Sequence, residues 1–87
     1  MPTMDELKQA AAEAAAELVE NGMVLGLGSG STAMAAVSAI GRRVAQGLRV
    51  VGIPTSNNTA ALARTLAIPL STLDEHDQID LAIDDLV

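Results

Sequence analysis

The residues best suited to chemistry form one stretch, Gly26-Leu27-Gly28-Ser29-Gly30-Ser31-Thr32, between a short apolar run and an alanine-rich segment. Glycines let a backbone turn tightly and approach an anion closely. A helix that starts after such a turn offers unpaired N–H groups and the positive end of its dipole. Ser29, Ser31 and Thr32 add hydroxyl donors, so the pattern suits a phosphate or other oxyanion held without net positive charge. Two commoner motifs fit less well. Read from Gly26, the dinucleotide fingerprint puts Ser31 where its third glycine belongs. Read from Gly28 it ends at Ala33, which a looser form allows, but no acidic residue closes the next strand to hold a ribose. A P-loop needs a lysine that this stretch lacks. The plain structural alternative is a tight β–α turn with a serine cap.

Pro54-Thr55-Ser56-Asn57-Asn58-Thr59 is a second hydroxyl-rich helix start. In a parallel sheet both loops fall at the carboxyl end of the strands, where ligands bind. Simple N-capping by Ser56 or Asn57 is the alternative. Asp84 closes the last apolar run. If that run lies beside the first strand, strand order reverses between them and Asp84 faces whatever the glycine loop holds. A carboxylate there can accept sugar hydroxyls or assist proton transfer. For Asp85 a solvated terminal carboxylate is the better reading. His76, within Asp74-Glu75-His76-Asp77, reads as a solvated histidine rather than a metal ligand. Arg42-Arg43 reads as a solvated helix face. No metal and no cofactor are expected.

Composition narrows the field. A net charge of −6 removes a basic groove for a polyanion, and the absence of Phe, Tyr and Trp removes stacking platforms, so nucleic acid is not an expected partner. With no cysteine, disulfides and thiolate chemistry are out. The residues before Met23 are a charged amphipathic segment, not a signal peptide. No apolar run approaches the roughly 20 residues needed to span a bilayer. The expectation is a soluble, cytoplasmic protein with no membrane contact.

The elements that must position these residues follow from periodicity. Thr3 with Glu6 three residues later is a capping box, and Met4, Leu7, Ala11, Ala14 and Leu18 recur at helical spacing, which predicts a helix over 4–21. Residues 23–27 read as a buried strand. Residues 32–46 read as a helix with Ala33, Val37, Ile40 and Val44 inward, weakened but not stopped at Gly41. A strand over 48–53 precedes a helix over 58–67 with Thr59, Leu62, Ala63 and Leu66 inward. Residues 68–71 read as a short edge strand carrying Pro69, 73–78 as a polar connection, and 79–83 as a fourth strand. The alternation predicts an α/β fold. It is a small Rossmann-like three-layer domain over 1–87, with a four-stranded parallel sheet of order 3-2-1-4.

Four segments in register resemble one family. They are Asp5-Glu6-Leu7-Lys8, GLGSGST from Gly26, GIPTSNNTAALA from Gly52 and LSTLDEHDQIDLAID from Leu70. Together they are similar to the N-terminal portion of ribose-5-phosphate isomerase A. That family interconverts ribose 5-phosphate and ribulose 5-phosphate through an enediol, without metal or organic cofactor. The resemblance implies that Ser29, Gly30, Ser31 and Thr32 line the sugar-phosphate pocket. Ser56 and Thr59 would match a second hydroxyl loop, and Lys8 a lysine near the substrate. Asp84 would match the first aspartate of an Asp-Gly-Ala-Asp-Glu motif and carry a catalytic role. Asp85-Leu86-Val87 departs from that motif, and the family's glycine-rich segment with its lysine and its glutamate base are absent. The resemblance therefore implies a truncated or engineered isomerase fragment that keeps the loop for a sugar phosphate, phosphate or sulfate but is inactive alone. The alternative is a self-associating structural module. In either case a homo-oligomer, such as a homodimer, is expected through the exposed sheet edge.

Overall fold

The structure is a computed structural model and describes residues 3–83. Helices α1 (Met4–Glu17), α2 (Ser31–Ala45) and α3 (Asn57–Thr65) alternate with strands β1 (Val24–Leu27), β2 (Val51–Pro54) and β3 (Leu81–Ile83). Among the described residues the strands form one parallel sheet of order β2-β1-β3. β1 is central. It pairs Leu27 with Pro54 on one side and with Ile83 on the other. Its Leu25 and Leu27 are fully buried, in a cluster with Ala33, Val37, Ile40, Val50 and Ile83. The core is aliphatic throughout, as a chain without aromatics requires.

Among the described residues the sheet has three strands where four were expected. Residues 68–71 reach the outer side of β2, the place expected for the strand after it, but make a single parallel bridge between Gly52 and Leu70. Gly52 N donates to Pro69 O at 2.8 Å and Ser71 N donates to Gly52 O at 2.9 Å. Extending this ladder forward needs the N–H of residue 54, and extending it backward needs the N–H of residue 69. Both are prolines, so each adjoining rung lacks a donor and pairing stops at one bridge.

Helix α1 departs from expectation in length and in face. Thr3 Oγ1 accepts from Glu6 N at 3.1 Å, as a capping box begins. The helix ends at Glu17 rather than at residue 21, with Leu18 as C-cap. Its buried positions are Ala12 and Ala16, followed by Val19 just beyond the helix. The expected stripe is turned outward, with Met4 68%, Leu7 51% and Leu18 64% exposed. Alanines permit the close approach of α1 to α2, and the larger apolar residues are left on the far side.

Arg43 also differs from the solvated residue expected. It is half-buried on α2, and its guanidinium donates to Ala16 O and to Val19 O, the latter at 2.8 Å. It thereby adds a second donor to Ala16 O, which also accepts from Val19 N at 3.2 Å, and a donor to Val19 O just past the helix end. Arg42 pairs with Glu13 on the surface. At Gly41, α2 and α3 come so close that a Cβ would lie 2.8 Å from Leu66 Cβ.

Candidate anion-binding site

The two hydroxyl-rich loops lie side by side at the carboxyl end of the sheet, because β1 and β2 are parallel neighbours. Gly28 is buried and donates to Ile83 O at 2.7 Å, which ties the start of the glycine loop to the end of β3. Ser29, Gly30 and Ser31 are exposed. Gly30 is the N-cap of α2 with φ 102° and ψ 164°, a region open only to glycine. The cap has no side chain to cover the first turn of α2. That turn carries no acidic residue, and Arg42 and Arg43 fall in the last, so no carboxylate on the helix opposes its positive end. Thr32 is buried, 4% exposed.

A cation reaches this helix start from another element. Lys8, in the second turn of α1, donates from Nζ to Ser31 Oγ at 2.8 Å. Glycine loop, helix start and ammonium group therefore converge, which is the arrangement that suits a phosphate oxygen.

The second loop grips the first from behind. Thr55 N and Thr55 Oγ1 both donate to Leu27 O at 3.0 Å, and Ser29 Oγ lies 3.4 Å from Thr55 Oγ1. Thr59 is fully buried and its hydroxyl donates to Gly28 O at 3.1 Å. Ser56 caps α3 by accepting from Thr59 N at 3.2 Å. Thus Lys8, Ser29, Gly30, Ser31 and Thr32 gather at one helix start, while Thr59 faces the back of the loop and Ser56 is engaged with Thr59. Thr55 was absent from the expected site residues. Its signal was position, one residue past the Leu27–Pro54 pair. Asp84 and Asp85 lie outside the described residues.

Among the described residues, no group of three or more His, Asp or Glu side chains is gathered to hold a metal, and no helix is long and apolar enough to cross a membrane. An apolar cleft of about 200 Å³ runs between α1, α2 and β3, lined in part by Ala11, Leu18, Ala36, Leu81 and Ile83.

Fold and site together define a parallel α/β protein whose polar β–α loops meet at the carboxyl edge of its sheet. The family described as ribose 5-phosphate isomerase A (phosphoriboisomerase A) matches over residues 51–86. A ribose-5-phosphate isomerase A of Synechococcus sp. (strain JA-3-3Ab) is 58% identical over 85 residues, covering 97% of this chain and 37% of the relative. The solved ribose 5-phosphate isomerase A of Methanocaldococcus jannaschii superposes with TM-score 0.89 at 44% identity, over 94% of this chain and 36% of that one. A D-ribose-5-phosphate isomerase solved in complex with phospho-erythronic acid gives TM-score 0.90 at 38% identity, over 95% and 37%. The chain is similar to the ribose 5-phosphate isomerase A family over nearly its whole length, and it spans a little over a third of the length of these relatives.

Proposed function

We propose that these residues form the sugar-phosphate-binding part of a ribose-5-phosphate isomerase, with the phosphate or an adjoining sugar oxygen held at the start of α2. The observation that carries this reading is the convergence of Lys8 Nζ on Ser31 Oγ at 2.8 Å beside the glycine loop. In the proposed complex, Ser29, Gly30, Ser31 and Thr32 supply amide and hydroxyl donors. Lys8 supplies the charge, and Asp84 accepts sugar hydroxyls or assists proton transfer.

The reaction proposed for the whole protein is aldose–ketose isomerisation, in which a proton moves between C1 and C2 and a positioned base is required. The glutamates here are Glu6, Glu13, Glu17, Glu20 and Glu75. Glu13 is engaged by Arg42 and Gln9, and Glu75 by Ser71. None of the five is among Lys8, Ser29, Gly30, Ser31 and Thr32 at the start of α2, so we assign binding, and not turnover, to the 87 residues by themselves. Calorimetric titration with ribose 5-phosphate, run beside a coupled ribulose assay, tests this. Binding with a Kd on the order of millimolar and no turnover is expected. The absence of heat at several millimolar ligand would remove the binding reading, and turnover would remove the assignment of binding alone.

A second reading, self-association, is favoured by a specific feature. Met4, Leu7 and Leu18 are exposed on α1, Leu18 also lines the apolar cleft of α1, α2 and β3, and exposed apolar surface of this kind marks an interaction face.

A further inference from the structure

We infer that Thr59 is a positioning residue. It touches no ligand but aims the Ser29 N–H, by holding the Gly28 carbonyl in place. The inference rests on the phosphate-binding reading above and extends it to how the glycine loop is kept in shape.

The bonds run in one direction. Thr59 N donates to Ser56 Oγ at 3.2 Å. The two hydroxyl oxygens lie 2.9 Å apart, and Thr59 Oγ1 is 3.1 Å from Gly28 O. A hydroxyl has one proton. Gly28 O is a far better acceptor than the Met34 sulfur, 3.7 Å from Thr59 Oγ1, so the Thr59 proton goes to the carbonyl. Ser56 must then be the donor to Thr59 Oγ1. Thr59 is fully buried, so water does not compete for its hydroxyl, while Ser56 is half-buried. In this low-dielectric setting each bond polarises the next.

Holding Gly28 O has a geometric consequence. The Gly28 carbonyl and the Ser29 N–H belong to one planar trans peptide and point in opposite directions. Fixing the oxygen against α3 fixes the N–H on the other side, away from α3. The preceding peptide is held in the same way, with Thr55 on Leu27 O and Gly28 N on Ile83 O. Two successive peptide planes are thus set before Gly30 turns into α2. A loop with this many glycines has conformational freedom that binding must remove. Thr59 removes part of it in advance.

The test uses the isotope-labelled 87-residue chain with inorganic phosphate as probe. It compares Thr59→Val, which keeps the volume and loses the hydroxyl, with Thr59→Ser, which keeps the hydroxyl and loses a buried methyl. Two quantities are read: the Ser29 N–H residual dipolar coupling without ligand, and phosphate affinity. Thr59→Val is expected to change the coupling and weaken phosphate about tenfold. Thr59→Ser is expected to leave both near wild type although its thermal midpoint falls. A merely structural role would make affinity follow the midpoint in both variants, and that result overturns the inference. So does an unchanged coupling in Thr59→Val. If wild type binds no phosphate, the proposed function fails, while the coupling in the unliganded chains still decides the role of Thr59. Should Thr59→Val not fold, Thr59→Ala, which also removes the donor to Gly28 O and has no branched side chain to place, is expected to shift the same coupling. No shift there overturns the inference.

Discussion

Lys8 Nζ donates to Ser31 Oγ across 2.8 Å, joining the second turn of α1 to the first residue of α2 over 23 positions of sequence. An ammonium group so placed does little for an exposed fold, since exposed polar pairs contribute at most about 1 kcal/mol. Its value lies in what it brings to a bound anion.

Replacing Lys8 with Met is therefore expected to separate binding from stability. Phosphate affinity at low salt should fall about tenfold, since a charge-assisted hydrogen bond contributes roughly 1.5–3 kcal/mol. The thermal midpoint should change little, and added salt should narrow the gap between variant and wild type. Titration calorimetry at two ionic strengths checks this. Equal affinities at low salt would place the anion elsewhere.

Gly41 gives a stability prediction of definite sign. Alanine within a helix gains about 1 kcal/mol over glycine. A Cβ at Gly41 would meet Leu66 Cβ and Cδ1, both at 2.8 Å, and overpacking of this kind costs typically 1–3 kcal/mol. Leu66 Cβ cannot swing aside as a side-chain tip can, so the cost should prevail. Gly41→Ala is expected to be destabilised by about 1 kcal/mol in urea unfolding. A stabilised variant would show that α3 lies farther from α2.

Much of this architecture was legible. The change from short apolar runs to helical periodicity located the alternation of strand and helix, and the glycine run between Leu27 and Ser31 pointed to the carboxyl edge of a parallel sheet. The face of α1 was not legible, because Ala12 and Ala16 satisfy the same period as Met4, Leu7 and Leu18. Hydrophobicity favours the larger set, but close helix approach selects the smaller. The missing strand was written in Pro54 and Pro69. Its loss became clear only once the Gly52–Leu70 bridge fixed which N–H groups the next rungs needed. Thr59 could be read as a hydroxyl near the site. Helical period also placed it inward with Leu62, Ala63 and Leu66, but that its partner is Gly28 O depends on how α3 packs on the glycine loop, which no local pattern reports.

Arg43 should prove more important to α1 than its surface neighbour Arg42. Its guanidinium serves Ala16 O and Val19 O, and hydrogen bonds from a charged group contribute roughly 1.5–3 kcal/mol. Arg43→Met is expected to lower stability by about 2 kcal/mol and to speed amide exchange at the end of α1. Arg42→Met, which loses an exposed ion pair, should cost under about 1 kcal/mol. Equal losses in the two variants would contradict the capping role.

The outward stripe on α1 predicts concentration-dependent association. Leu18→Glu places a charge on a residue already 64% exposed, so the monomer fold should survive while self-association weakens. Sedimentation velocity across a micromolar range would register it. A wild-type chain that stays monomeric throughout would remove the self-association reading.

The account stands or falls on where an anion settles. Amide correlation spectra of the labelled chain, recorded during titration with ribose 5-phosphate, locate it residue by residue. The account predicts saturable shifts concentrated at Gly28, Ser29, Gly30, Ser31 and Thr32, weaker ones at Thr55 and Thr59, and loss of the loop response in Lys8→Met. Shifts centred instead on the opposite end of the sheet, around Met23, Arg49 and Val50, or none at millimolar ligand, would contradict it.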